Sequence, residues 1–115
     1  MIKITVYKDA QYRIRQLKMV GHAEYADPGY DIVCAAVSSQ VISVENSLQQ
    51  LLKIPVETNV NEVDGGFLHL KMPEVLQEDT DKDGQLLLNH LVFALQVLSE
   101  NYPEFIKIQE KTIKP

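Results

Sequence analysis

The stretch DIVCAAVSSQVISVENSLQQLL, residues 31–52, decides the fold. Val33, Val37, Val41, Val44, Leu48 and Leu51 recur at spacings of three and four, so one stripe of a long helix faces a core and the remaining sides meet water. The periodicity predicts a helix from about Asp31 to Leu52, stopped by Pro55. Working outward, the flanking segments read as strands. Ile2, Ile4 and Val6 alternate with Lys3, Thr5 and Tyr7, the period of a half-buried strand. Between Tyr12 and Val20 the phase slips, with Tyr12 and Ile14 on even positions and Leu17 and Met19 on odd ones. A β-bulge near Arg15 is the expected cause, with the strand bending before Gly21.

Downstream, Val56, Thr58 and Val60 alternate with polar neighbours, Asp64-Gly65-Gly66 supplies a turn, and Leu68, Leu70 and Met72 alternate again, which predicts a hairpin. A second helix from about Asp83 to Asn101 carries Leu88, Leu91, Leu95 and Leu98, Tyr102-Pro103 closes it, and a short strand from Phe105 to Gln109 follows. The order ββαββαβ implies an α+β fold with two helices packed on one face of a mostly antiparallel sheet. A length of 115 residues suits one hydrophobic core, so a single domain spanning residues 1–115 is expected. The uncovered sheet face suggests a homodimer.

Composition narrows the function. The net charge of −5 argues against direct nucleic-acid binding, which needs clustered positive surface. One local exception is the first hairpin, where Lys3, Lys8, Arg13, Arg15 and Lys18 lie within eighteen positions. Charge on a solvated strand face explains them more simply than an RNA site. No run of about 18 apolar residues occurs, and MIKITVYK lacks the apolar segment of a signal peptide, so no membrane partner and a cytoplasmic location are expected.

Several motifs imitate sites. Asp79 to Gly84, DTDKDG, resembles the start of a calcium-binding EF-hand loop, but position twelve is His90 where a bidentate glutamate should stand. An acidic helix start capped by Asp81 or Asp83 accounts for the same residues. His69 falls on the wetter face of its strand and His90 at the edge of an apolar stripe. No structural-zinc spacing and no glycine-rich phosphate loop occur.

His22 and Cys34 remain, the only cysteine and a histidine separated by a loop containing Asp27-Pro28-Gly29. Cys34 lies on the apolar stripe above Leu48, as a buried inert thiol would. Its predicted place in the first helical turn would also stabilise a thiolate. His22 follows Gly21 at a strand end, where a rigid scaffold can hold a functional side chain, yet an ordinary loop histidine would look the same. Asp31 is either the helix cap or a third group that orients His22. The residues alone leave these alternatives open.

Gly21-His22-Ala23 and Asp31-Ile32-Val33-Cys34-Ala35-Ala36-Val37-Ser38, joined by a short glycine-containing loop, resemble the ribosomal-processing cysteine protease (Prp) family. Glu24 stands where a small residue is expected after the first motif. The resemblance implies a cytoplasmic, homodimeric endopeptidase that removes the N-terminal extension of a large-subunit ribosomal protein during ribosome maturation. It implies His22 as the catalytic histidine, Cys34 as the nucleophile, an apolar pocket beside Cys34, and a mobile loop between them that orders around the substrate. Ser38, one turn after Cys34, is the candidate for contact with substrate or developing charge, with Gly21 and Ala35 as further substrate-binding candidates. Helix N-terminal amides, including that of Cys34, are expected to stabilise the oxyanion. No metal or organic cofactor is required. The alternatives are a non-catalytic ribosome- or RNA-associated module using the basic first hairpin, and a thiol redox sensor, which here has no resolving cysteine.

Overall fold

The structure, a computed structural model, describes residues 1–22 and 28–113. Strands β1 (Ile2–Lys8) and β2 (Ile14–Val20) precede helix α1 (Pro28–Gln50). Strands β3 (Glu57–Asn61) and β4 (Phe67–Lys71) then flank a short 3-10 turn (Val63–Gly65), and helix α2 (Glu78–Asn101) leads to β5 (Ile106–Thr112). The expected order ββαββαβ is the observed one.

The sheet runs β3-β4-β2-β1-β5. Its pairs are antiparallel except β1 with β5, which are parallel. The bulge lies where the phase slip put it. Tyr7 pairs with Gln16 and Lys8 with Ile14, so Arg15 is the extra residue. That one insertion lets Ile14, Leu17 and Met19 all face the helices and become fully buried. With Ile2, Ile4, Val6, Leu68 and Leu70 they form the sheet half of the core, against Val33, Val37, Val41 and Leu48 of α1 and Leu88, Leu91 and Leu95 of α2.

The helix boundaries correct the sequence reading. α1 begins three residues before Asp31, at Pro28, because proline at the first helical position loses no hydrogen bond and its φ is already helical. Asp31 is therefore inside the first turn and not its cap. At the other end Leu51 is 73% exposed and belongs to a turn, not to the stripe. The stop precedes Pro55: Lys53 takes a left-handed φ of 56° and the Ile54 N–H bonds back to the Leu48 carbonyl at 3.0 Å. α2 starts at Glu78, five residues before Asp83, with Gln77 in the cap position and Glu78, Asp79 and Asp81 in the first turn, where carboxylates complement the helix dipole. Neither Asp81 nor Asp83 caps it, and DTDKDG is helix, not loop.

Asp81 is instead 8% exposed and paired with the bulge residue Arg15, Nη1 to Oδ1 at 3.2 Å, and with Arg13 at 3.5 Å. The bulge thus aims a guanidinium at α2. Strand β5 is longer than expected, running to Thr112 along the whole of β1. The face away from the helices carries Lys3, Lys18, Lys71 and Lys107, with His69 Nε2 bonded to Gln16 at 2.8 Å.

Candidate active site

His22 leaves the end of β2 just after Gly21. Gly21 has a φ of 93°, and a Cβ there would run into the Met1 carbonyl, so only glycine fits. Both of its backbone groups are engaged. Its N–H donates to the Gly66 carbonyl at 3.0 Å, and its carbonyl accepts from the Tyr30 hydroxyl at 2.8 Å. Gly21 therefore holds the scaffold just behind the groove that His22 lines.

Tyr30 is a residue the sequence reading missed. It is buried in the first turn of α1, one turn before Cys34, and packs edge-on against Phe105 with ring centroids 5.5 Å apart. Its bond to Gly21 joins the two chain segments on which His22 and Cys34 sit. The signal in the sequence was its spacing: Tyr30, Cys34 and Val37 share the inward face of one helix.

His22 and Cys34 line the same groove, a cavity of about 600 Å³ between α1 and the β2-β4-β3 side of the sheet. Along α1 the wall is Asp31, Cys34, Ala35, Ser38, Ile42 and Glu45, a stripe rising about 21 Å. Met19, Leu68 and Val60 supply apolar surface from the sheet, and Glu62 closes the end near His22. The structure thus brings His22, Asp31, Cys34, Ala35 and Ser38 to one groove. Cys34 is 7% exposed and His22 is 8% exposed, so each shows only an edge to it.

Around the imidazole, Nε2 stands 3.6 Å from Glu62 Oε1, while the buried Nδ1 has no hydrogen-bond partner among the described residues. Among the described residues, the carboxylate paired with His22 is Glu62 and not Asp31, which is exposed on the groove wall. Nothing in the local sequence pointed to Glu62. It arrives at the site because β4 pairs with β2 and β3 with β4.

Cys34 is the seventh residue of α1, beyond the first-turn amides that lack helical partners. The helix end is then too far to stabilise a thiolate, since that effect fades within one turn. The Cys34 amide likewise lies past the first-turn amides. Residues 23–27, with Glu24 and most of the loop expected to order around substrate, lie outside the described residues. Among the described residues no group of His, Cys, Asp and Glu is arranged to hold a metal ion, and no helix is long and apolar enough to cross a membrane.

Comparison with known proteins gives one consistent answer. The family model for cysteine protease Prp matches residues 1–107. The ribosomal processing cysteine protease Prp of Bacillus subtilis is 27% identical over 113 residues, covering 98% of this chain and 100% of the relative. That of Staphylococcus aureus is 29% identical over 112 residues, covering 96% and 100%. Among solved structures, SMU.848 from Streptococcus mutans superposes with a TM-score of 0.90 at 30% identity, covering 98% of this chain and 96% of that one. The essential ribosomal processing protease Prp of S. aureus, in complex with a substrate peptide, gives a TM-score of 0.78 at 26% identity, covering 96% and 100%. A match across nearly the whole chain, on a groove that holds both motif residues, places this chain in the Prp family of cysteine proteases.

Proposed function

We propose that the chain is the endopeptidase that removes the N-terminal extension of a large-subunit ribosomal protein, with Cys34 as nucleophile and His22 as base. The observation that carries this reading is that both residues line one groove while the buried Nδ1 of His22 has no hydrogen-bond partner among the described residues. With Nε2–H turned toward Glu62, Nδ1 keeps the lone pair a base requires. The B. subtilis and S. aureus relatives carry ribosomal processing in their names, and the S. aureus protease was solved with a substrate peptide, which supports a peptide in this groove.

The chemistry follows in order. Nδ1 of His22 takes the thiol proton, and the Cys34 sulfur attacks the scissile carbonyl, whose oxygen becomes an oxyanion. Ser38, four residues after Cys34 on the same helix face, donates its hydroxyl proton in a hydrogen bond to that oxygen. The imidazolium then protonates the leaving amine as the C–N bond breaks. Water, deprotonated by His22, hydrolyses the thioester and returns the thiol. Met19, Leu68, Val60 and Ile42 give the groove its apolar side-chain pocket, and Ala35 leaves room for the peptide backbone. Asp31 complements the dipole at the helix start rather than sharing the proton transfer. No metal or organic cofactor enters these steps.

The reading includes action in the cytoplasm, where the precursor is made, and a homodimer. Exposed Phe93 and Val97 on α2, not the lysine-bearing sheet face, supply the apolar surface for an interface. Sedimentation equilibrium of the wild type and Phe93→Glu tests this: a dimer that Phe93→Glu separates supports it, and a monomeric wild type contradicts it.

The binding-module alternative loses its footing at the basic hairpin. Lys8 pairs with Glu110, Arg13 with Asp9, Arg15 with Asp81, and Lys18 lies over the Phe67 ring. Incubation with a ribosomal precursor protein bearing its N-terminal extension discriminates. The enzyme reading expects a mass loss equal to the extension; an intact precursor at stoichiometric enzyme contradicts it.

A further inference from the structure

Glu62 follows β3 directly, before the 3-10 turn, and its Oε1 lies 3.6 Å from Nε2 of a His22 ring that is otherwise enclosed. Two independent ties hold that approach. The Gly21 N–H bonds the Gly66 carbonyl at 3.0 Å, so the β3–β4 turn is clamped to the residue before His22, and Val63 N–H bonds Asn61 Oδ1 at 2.8 Å across Glu62 itself. The other ring nitrogen, Nδ1, is buried without a partner among the described residues.

We propose that Glu62 is the positioning residue of this protease: its carboxylate holds the Nε2 proton of His22, fixes the tautomer that leaves Nδ1 basic, and stabilises the imidazolium formed when the Cys34 thiol ionises. This rests on the reading of His22 as base. Besides His22, the charged and titratable groups among the described residues lining the groove are Glu62, just after β3, Asp31 and Glu45 from α1, and Cys34 itself. Among these described lining residues there is no lysine or arginine. Glu62 is 63% exposed in the free protein, and a peptide lying in the groove covers it, which removes competing water and shortens the contact.

The test compares wild type, Glu62→Gln and Glu62→Ala by ¹⁵N NMR of the His22 ring and by steady-state cleavage of a precursor peptide. The ring is assigned by its absence from the His22→Ala spectrum. The wild-type neutral ring carries its proton on Nε2, which the ring ¹⁵N shifts read directly. Glu62→Ala loses the tautomer preference, and its kcat falls about 10-fold with KM within about 2-fold, because the base is present but wrongly held. Glu62→Gln, which can still accept from Nε2–H, falls between. An unmoved tautomer ratio in Glu62→Ala, or a rise in KM at unchanged kcat, overturns the proposal. If His22→Ala cleaves normally, the assignment of the base fails instead, and the NMR shift still reads the Glu62 contact separately.

Discussion

The Tyr30 hydroxyl donates to the Gly21 carbonyl at 2.8 Å, and this one bond connects the strand end that carries His22 with the helix turn that leads to Cys34. The loop of residues 23–27 joins the same two points through the chain. The hydrogen bond fixes their spacing through space. Tyr30→Phe keeps the ring against Phe105 and removes the hydroxyl, both as donor to Gly21 and as acceptor from the Met1 ammonium at 3.0 Å. Its expected cost is about 1–2 kcal/mol of stability, since the buried Gly21 carbonyl loses a partner. Cleavage should fall by about 10-fold or more, because small misplacements of a catalytic pair are expensive in rate. Urea denaturation and initial rates measure both. An unchanged rate in a destabilised protein shows that the bond serves stability alone.

Ser38→Ala tests the oxyanion donor. With the Cys34 amide within the helix ladder, the hydroxyl one turn further along is the nearest helical donor facing the groove. Loss of one such donor is typically about 10²–10³-fold in kcat. A change confined to KM would make Ser38 a substrate contact instead.

Asp81 and Arg15 carry a separable stability prediction. Asp81→Ala leaves the Arg15 guanidinium, 15% exposed, without its carboxylate. A loss of about 2–4 kcal/mol in urea denaturation is expected, somewhat below a fully buried pair because Arg13 is half exposed. A loss below about 0.5 kcal/mol contradicts this account of the bulge.

Asp9 gives the pH dependence of the first turn. Burial pushes its carboxyl up, but hydrogen bonds from the Arg13 N–H, the Arg13 side chain and the Gln11 N–H outweigh that and hold it below the ordinary aspartate value. A lowered folded pKa means stability that is present above the unfolded value of about 3.9 and lost as pH falls through the folded one. Asp9→Asn should therefore lower Tm at pH 7, and the difference should shrink as pH falls below about 3.9. Parallel Tm curves across that window contradict the assignment.

Much of the fold was legible because burial imposes a period. The phase slip between Ile14 and Leu17 could only be resolved by one extra residue, and Arg15 is that residue. The helix starts were not legible, because Pro28, Gly29, Glu78 and Asp79 carry no apolar stripe and Gln77 makes no side-chain cap bond. The grouping of His22 and Cys34 was readable from their motif. Tyr30 and Glu62 were not, since one acts through a carbonyl and the other arrives by strand pairing from forty residues away.

The claim that Cys34 makes the attack is tested most directly by one rate. Purified Cys34→Ala is mixed with the extended precursor, and the cleaved product is followed by intact mass beside the wild type, with the fold of the variant checked by thermal melting. The account predicts a folded variant with no product above the uncatalysed background. Cleavage by folded Cys34→Ala at the wild-type rate would contradict it.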